Sequence, residues 1–116
     1  GRILAVEKDR YLGWASLSSV SSRCVYGGVA EVSVYVSDSA RGKGVGEFLL
    51  KKLIEISEEN NIWTLQSGIF RDNVASRELH IKCGFREVGY KEKVGQLHGV
   101  WKDNVLLERR SKVVGI

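Results

Sequence analysis

Six consecutive residues, Arg41, Gly42, Lys43, Gly44, Val45 and Gly46, place two cationic side chains among three alternating glycines. They fall between a segment with the alternation of a strand and a segment with the periodicity of a helix. Such a junction turns backbone N–H groups toward solvent, with the positive end of the helix dipole behind them. It is an anion site. Glycines let that backbone approach a phosphate with no Cβ in the way. Two familiar phosphate patterns fail on spacing. A Walker loop needs Ser or Thr after its lysine, and Gly44 follows Lys43 here. A dinucleotide loop needs Gly-x-Gly-x-x-Gly, and the glycines run Gly-x-Gly-x-Gly. A glycine triplet alone would be only a loop; its setting favours anion binding.

Glu31 is the second candidate. A carboxylate inside a central strand is unusual, and partial burial would raise its pKa toward that of a useful base. The competing reading is a wall residue paired with a base. Cys83 reads as a small packing residue, since sequence places no base beside it. Trp101 reads equally as core. Asn73 is a good helix N-cap, and Lys82 near a helix end needs no ligand.

The elements that must position these residues can be read in order. Residues 3–7 and 11–17 form a hairpin of two strands, followed by a Ser/Gly-rich loop at 18–28. Residues 29–36 alternate, with Val32, Val34 and Val36 on one face and Glu31, Ser33 and Tyr35 on the other. From Val45 the period becomes helical, with Val45, Phe48, Leu49, Leu53 and Ile56 inward, until Asn60-Asn61 ends the helix. Residues 62–70 are a strand, and 74–82 a short helix with Ala75, Leu79 and Cys83 inward and Gly84 as its stop. Residues 85–93 and 100–109 are the last strands, joined by a turn near 95–99. The order β-β-β-α-β-α-β-β predicts a single α/β domain with a mixed central sheet.

Composition narrows the class. One domain of 116 residues buries one real core. No apolar run nears the length that spans a bilayer, so no membrane partner is expected. Two cysteines and two histidines make no metal pattern, and no metal is expected. The default is a reduced, cytoplasmic protein. The net charge of +4 suits a polyanionic ligand. Acids and bases alternate instead of forming the basic stripe of a nucleic-acid binder, so no nucleic acid is expected as partner. The chain has no methionine and enters a strand at once; the expectation is that an N-terminal segment is absent.

Taken together, several motifs resemble the GNAT (GCN5-related N-acetyltransferase) superfamily. Arg41-x-x-Gly44-x-Gly46 matches its Arg/Gln-x-x-Gly-x-Gly/Ala signature. The strand Ala30-Glu31-Val32-Ser33-Val34-Tyr35-Val36 before it is similar to the phosphinothricin acetyltransferase branch. So are Asn73-x-x-Ser76-x-x-Leu79-His80-x-x-Cys83-Gly84-Phe85 and His98-Gly99-Val100-Trp101-Lys102-Asp103. The resemblance covers nearly the whole chain. It implies a GNAT-type sheet that starts at the family's second strand, without its N-terminal strand and helices.

The resemblance also implies roles. Acetyl-CoA would be the co-substrate, its pyrophosphate on Arg41, Gly42, Lys43, Gly44, Val45 and Gly46. Its pantetheine would lie along the backbone of Val34, Tyr35 and Val36, with Asn73, Ser76 and Lys82 as further contacts. Glu31 would be the general base or bind the amine, and His80 would protonate the leaving thiolate. Cys24, Val25, Tyr26, His98 and Trp101 would line the acceptor pocket. The implied reaction is acetyl transfer to a small amine, such as an amino acid or an analogue like phosphinothricin or methionine sulfoximine. The alternative is a non-catalytic acyl-CoA binding module. The family often dimerises, so a homodimer is compatible with the resemblance.

Overall fold

The computed structural model describes residues 2–7, 10–19, 27–37, 42 and 44–115. Eight elements follow the expected order: β1 (Arg2–Glu7), β2 (Arg10–Ser19), β3 (Val29–Val36), α1 (Val45–Glu59), β4 (Thr64–Phe70), α2 (Val74–Lys82), β5 (Arg86–Leu97) and β6 (Val100–Arg110). The strands form one mixed sheet in the order β1-β2-β3-β4-β6-β5. Among the described strands only β3 and β4 run parallel, as a crossover through α1 requires. Their pairing is brief: Val29 with Thr64, Ala30 with Leu65, Glu31 with Gln66. Beyond Glu31 the two strands part, β3 staying with β2 and β4 with β6.

Helix α1 packs against β1, β2 and β3. Leu49, Leu50 and Leu53 are fully enclosed, with Ala15, Ala30, Val32, Leu65, Phe85, Val105 and Leu107 around them. Each buried leucine contributes about 1.5–3 kcal/mol relative to exposure. The inward stripe differs from the expected one. Leu50 and Ser57 are buried, while Phe48 is 59% exposed. At 100° per residue the row Val45, Leu49, Leu53, Ser57 turns slowly toward Leu50 and away from Phe48.

Two other expectations are corrected. On α2, Ala75 is exposed and His80 is the buried residue, because the helix turns His80 toward Phe85. Leu79 and Cys83 do pack against the core. The last hairpin is longer than expected: β5 continues to Leu97, pairing Gly95 with Lys102 and Leu97 with Val100. Its turn is only His98-Gly99, with φ 52° and 78°, the left-handed pair that a two-residue hairpin turn demands. A register shift between Lys91 and Gly95, with Lys93 at φ 49°, bends the long strand.

Candidate active site

Where β3 ends and α1 begins, Gly44 is the N-cap at φ 76°, and no side chain among the described residues caps the helix. The first intrahelical bond runs from the Phe48 N–H to the Gly44 carbonyl, 3.0 Å. The N–H groups ahead of it are open to a ligand. Among the described residues, a Cβ at Gly42 or Gly44 would meet nothing within 4 Å, so none of them covers that backbone. Gly46 has a different use. A Cβ there would lie 2.9 Å from Leu79 Cδ2, so its hydrogen makes room for α2 to pack on α1. Arg41 and Lys43 lie outside the described residues, as do Cys24, Val25 and Tyr26.

These groups open into a cleft of about 470 Å³ between α1 and α2, bordered by Val34, Tyr35, Val36, Asn73, Ser76 and Lys82. Lys82 Nζ sits 3.0 Å from Glu47 Oε2, and Lys51 Nζ 2.8 Å from Glu47 Oε1. The hydrogen bonds from Lys51 and then Lys82 hold the Glu47 carboxyl below its usual range. Asn73 caps α2 as expected, its Oδ1 accepting from the Ser76 N–H at 3.2 Å.

The backbone of β3 supplies the cleft's long wall. The Ser37 N–H donates to the Leu12 carbonyl at 2.8 Å. Since antiparallel bonding alternates, Ser33 and Tyr35 then face β2, and Val34 and Val36, beyond the last pair with β4, present their N–H and C=O groups to the gap.

A second cleft of about 300 Å³ occupies that gap. Glu31, Ser33, Phe70 and Asn104 border it on the sheet face away from α1, and His80 borders it from α2. The two clefts share Val34, Asn73 and Ser76. They therefore meet through the opening between β3 and β4.

Glu31 is exposed. The expected partial burial does not occur, because no described helix covers that sheet face. His80, by contrast, is only 3% exposed. Its Nδ1 lies 2.8 Å from the Ser76 carbonyl. A carbonyl only accepts, so Nδ1 carries the hydrogen and the neutral ring's Nε2 keeps a lone pair. Nε2 is buried without a hydrogen-bond partner among the described residues. Loss of solvation lowers the His80 pKa, with the Ser76 carbonyl opposing. Burial raises that of the Cys83 thiol, which fits its packing role.

His98 and Trp101 border neither cleft. The extended β5 carries them to the hairpin tip, where Trp101 is 57% exposed. Sequence reasoning missed Ser67, Phe70 and Asn104. Ser33 was missed too, although its alternation phase, the same as that of Glu31, could have found it.

Among the described residues, no three His, Cys, Asp or Glu side chains are grouped to hold a metal, and no helix is long and apolar enough to cross a membrane.

Comparison with known sequences decides the family. The profile of the Acetyltransferase (GNAT) family matches residues 1–85. This chain belongs to the GNAT acetyltransferase family. It is 34% identical over 103 residues to a putative phosphinothricin acetyltransferase, YwnH, of Bacillus subtilis, covering 89% of the chain and 63% of that relative. An L-methionine sulfoximine/L-methionine sulfone acetyltransferase of Pseudomonas aeruginosa is 37% identical over 97 residues, 84% of this chain and 56% of that one. The crystal structure of a GNAT phosphinothricin acetyltransferase from Sinorhizobium meliloti in complex with AcCoA superimposes with a TM-score of 0.90 at 28% identity. That match covers 98% of this chain and 62% of the other. The chain thus spans about three fifths of the length of these relatives.

Proposed function

We propose that this GNAT protein transfers an acetyl group from acetyl-CoA to the amino group of a small amino acid or amino acid analogue. The observation that carries the reading is the meeting of two clefts from opposite sides of the sheet at Val34, Asn73 and Ser76. A donor and an acceptor entering separately are brought into contact there, and such positioning is a large part of catalysis. The names of the relatives support the acceptor class.

The chain's groups fit the parts of acetyl-CoA. Uncapped N–H groups at the start of α1 suit its diphosphate. The open backbone edge at Val34 and Val36 suits the amides of its pantetheine arm, as an added strand would. When bound, acetyl-CoA supplies a thioester carbon open to attack by an amine. Glu31, on the acceptor side, holds the ammonium and takes its proton. The bare Nε2 of His80 supports a role as proton acceptor at the junction. A donor role toward the thiolate would need the protonated ring that its burial disfavours.

The direct assay is thiol release from acetyl-CoA with a panel of amines. Glu31→Gln is expected to lower kcat/KM by about 10²–10⁴-fold, with the KM for acetyl-CoA unchanged. CoA binding without turnover of any amine would leave a binding module instead.

A cytoplasmic location and a homodimer belong to the same proposal. Tyr90, Val94, Leu97, Val100 and Trp101 are exposed along the β5–β6 hairpin, and apolar surface of that kind supports self-association. Sedimentation of the wild type and of Trp101→Glu tests it: a dimer that the substitution dissociates is the expected result.

A further inference from the structure

We infer that Asn104 is the residue that recognises the acceptor's carboxylate, making the second cleft selective for amino acids over simple amines. This rests on the acetyltransferase reading above.

Asn104 is a polar residue just ahead of the buried Val105 and Leu107 on β6. By alternation it faces the side of the sheet that also carries Glu31. The register fixes their relation. Glu31 pairs with Gln66 across the parallel ladder, and Asn104 pairs with Phe70 on the far side of β4. The Asn104 side chain does not stand upright over its own row. A Cβ at Gly68 would lie 2.7 Å from its Nδ2. The amide therefore leans along β4, over Gly68, toward the row of Gln66 and Glu31. Two residues of strand, roughly 7 Å, separate Gly68 from Gln66.

The amide is uncommitted. Among the described residues neither its nitrogen nor its oxygen has a hydrogen-bond partner, and the residue is half-buried at the border of the second cleft. Its polar atoms are open to the cleft and to solvent, so a ligand displaces only water from them. Here the partner that completes it is the ligand.

Electrostatics orients that ligand. An amino acid carries its ammonium and carboxylate on one carbon. Glu31 attracts the ammonium and repels the carboxylate. Nδ2 of Asn104 offers a neutral donor on the other side, at a separation that one small zwitterion can span. A donor bonded to a carboxylate makes a charge-assisted hydrogen bond, among the stronger kind. Gly68 is part of the device, since it alone leaves room for the leaning amide.

Steady-state kinetics with a matched pair of acceptors tests the assignment. The pair is methionine sulfone and 3-(methylsulfonyl)propylamine, the same molecule without its carboxylate. In Asn104→Leu the KM for methionine sulfone is expected to rise about ten- to a hundredfold, the worth of a hydrogen bond to a charged group. The KM values for the propylamine and for acetyl-CoA should stay within about twofold. Gly68→Ala keeps Asn104 but displaces its amide, and a smaller rise of the KM for methionine sulfone is expected. Melting temperatures show that both variants are folded. Equal losses on the two acceptors, or an unchanged KM for methionine sulfone in both variants, would overturn the role of Asn104 while wild-type turnover upholds the acetyltransferase. Absence of wild-type turnover with these acceptors and with every amine of the panel would overturn both.

Discussion

At the scale of single residues, the two nitrogens of His80 have different tasks. Nδ1 donates to the Ser76 carbonyl, and this fixes the ring of a residue that borders the second cleft, with Nε2 buried and keeping its lone pair. Burial makes the neutral ring the resting state and places its pKa below the ordinary value of 6.5. Two outcomes follow. The acetylation rate should fall as pH drops through a pKa below 6.5, and His80→Gln should lose about 10²-fold or more in kcat. Stability has the same sign. A depressed folded-state pKa means that the unfolded chain takes up the proton first. The contribution of His80 is thus full above 6.5 and is lost as pH falls through its folded value. Melting temperatures across pH 7 to 5 should decline for the wild type and less for His80→Gln. Glu31 was selected as a carboxylate within a central strand, and His80 through the family resemblance. Their environments were not legible, because exposure depends on which face α2 turns inward and which sheet face stays uncovered.

At the scale of elements, the start of α1 and the start of α2 do most of the positioning. Asn73 closes α2 and borders both clefts. Asn73→Ala should cost about 1 kcal/mol, the usual loss for an N-cap, read as a lower melting temperature. A rise in the KM for acetyl-CoA should accompany it. Gly46 joins the two helices. Gly46→Ala forces Leu79 to move from a 2.9 Å contact, and it should raise the KM for acetyl-CoA more than that for the amine.

Alternation and helical periodicity located all eight elements, and turn chemistry located the Asn73 cap and the Gly84 stop. The phase of α1 was harder. Phe48 and Leu50 are both apolar, and only the curvature of the contact with β2 and β3 decides that Leu50 goes inward. Likewise Gly95 reads as a turn residue, yet its pairing with Lys102 keeps it in β5. That extension moves His98 and Trp101 away from the site.

At the scale of the whole molecule, the proposed function depends on an interruption. Three residue pairs hold β3 to β4, and then the strands part. The opening joins a cleft on the helix face to one on the bare face. It also frees the backbone of Val34 and Val36 from sheet pairing. No sequence motif records it, because a strand that loses a neighbour looks like any other strand. The loop at 41–46 pointed to an anion but not to the route by which two substrates meet. The family match places the chain among GNAT acetyltransferases, and its backbone superimposes on that of a relative solved with AcCoA.

A crystal structure of the protein with acetyl-CoA tests the central claim most directly. The predicted result places the diphosphate on the N–H groups at the start of α1, and the pantetheine hydrogen-bonded to Val34 and Val36. The thioester then lies beside Asn73 and Ser76, facing Glu31 through the opening. A ligand bound away from the α1–α2 cleft, or an acetyl group that stops short of the gap between β3 and β4, would contradict it.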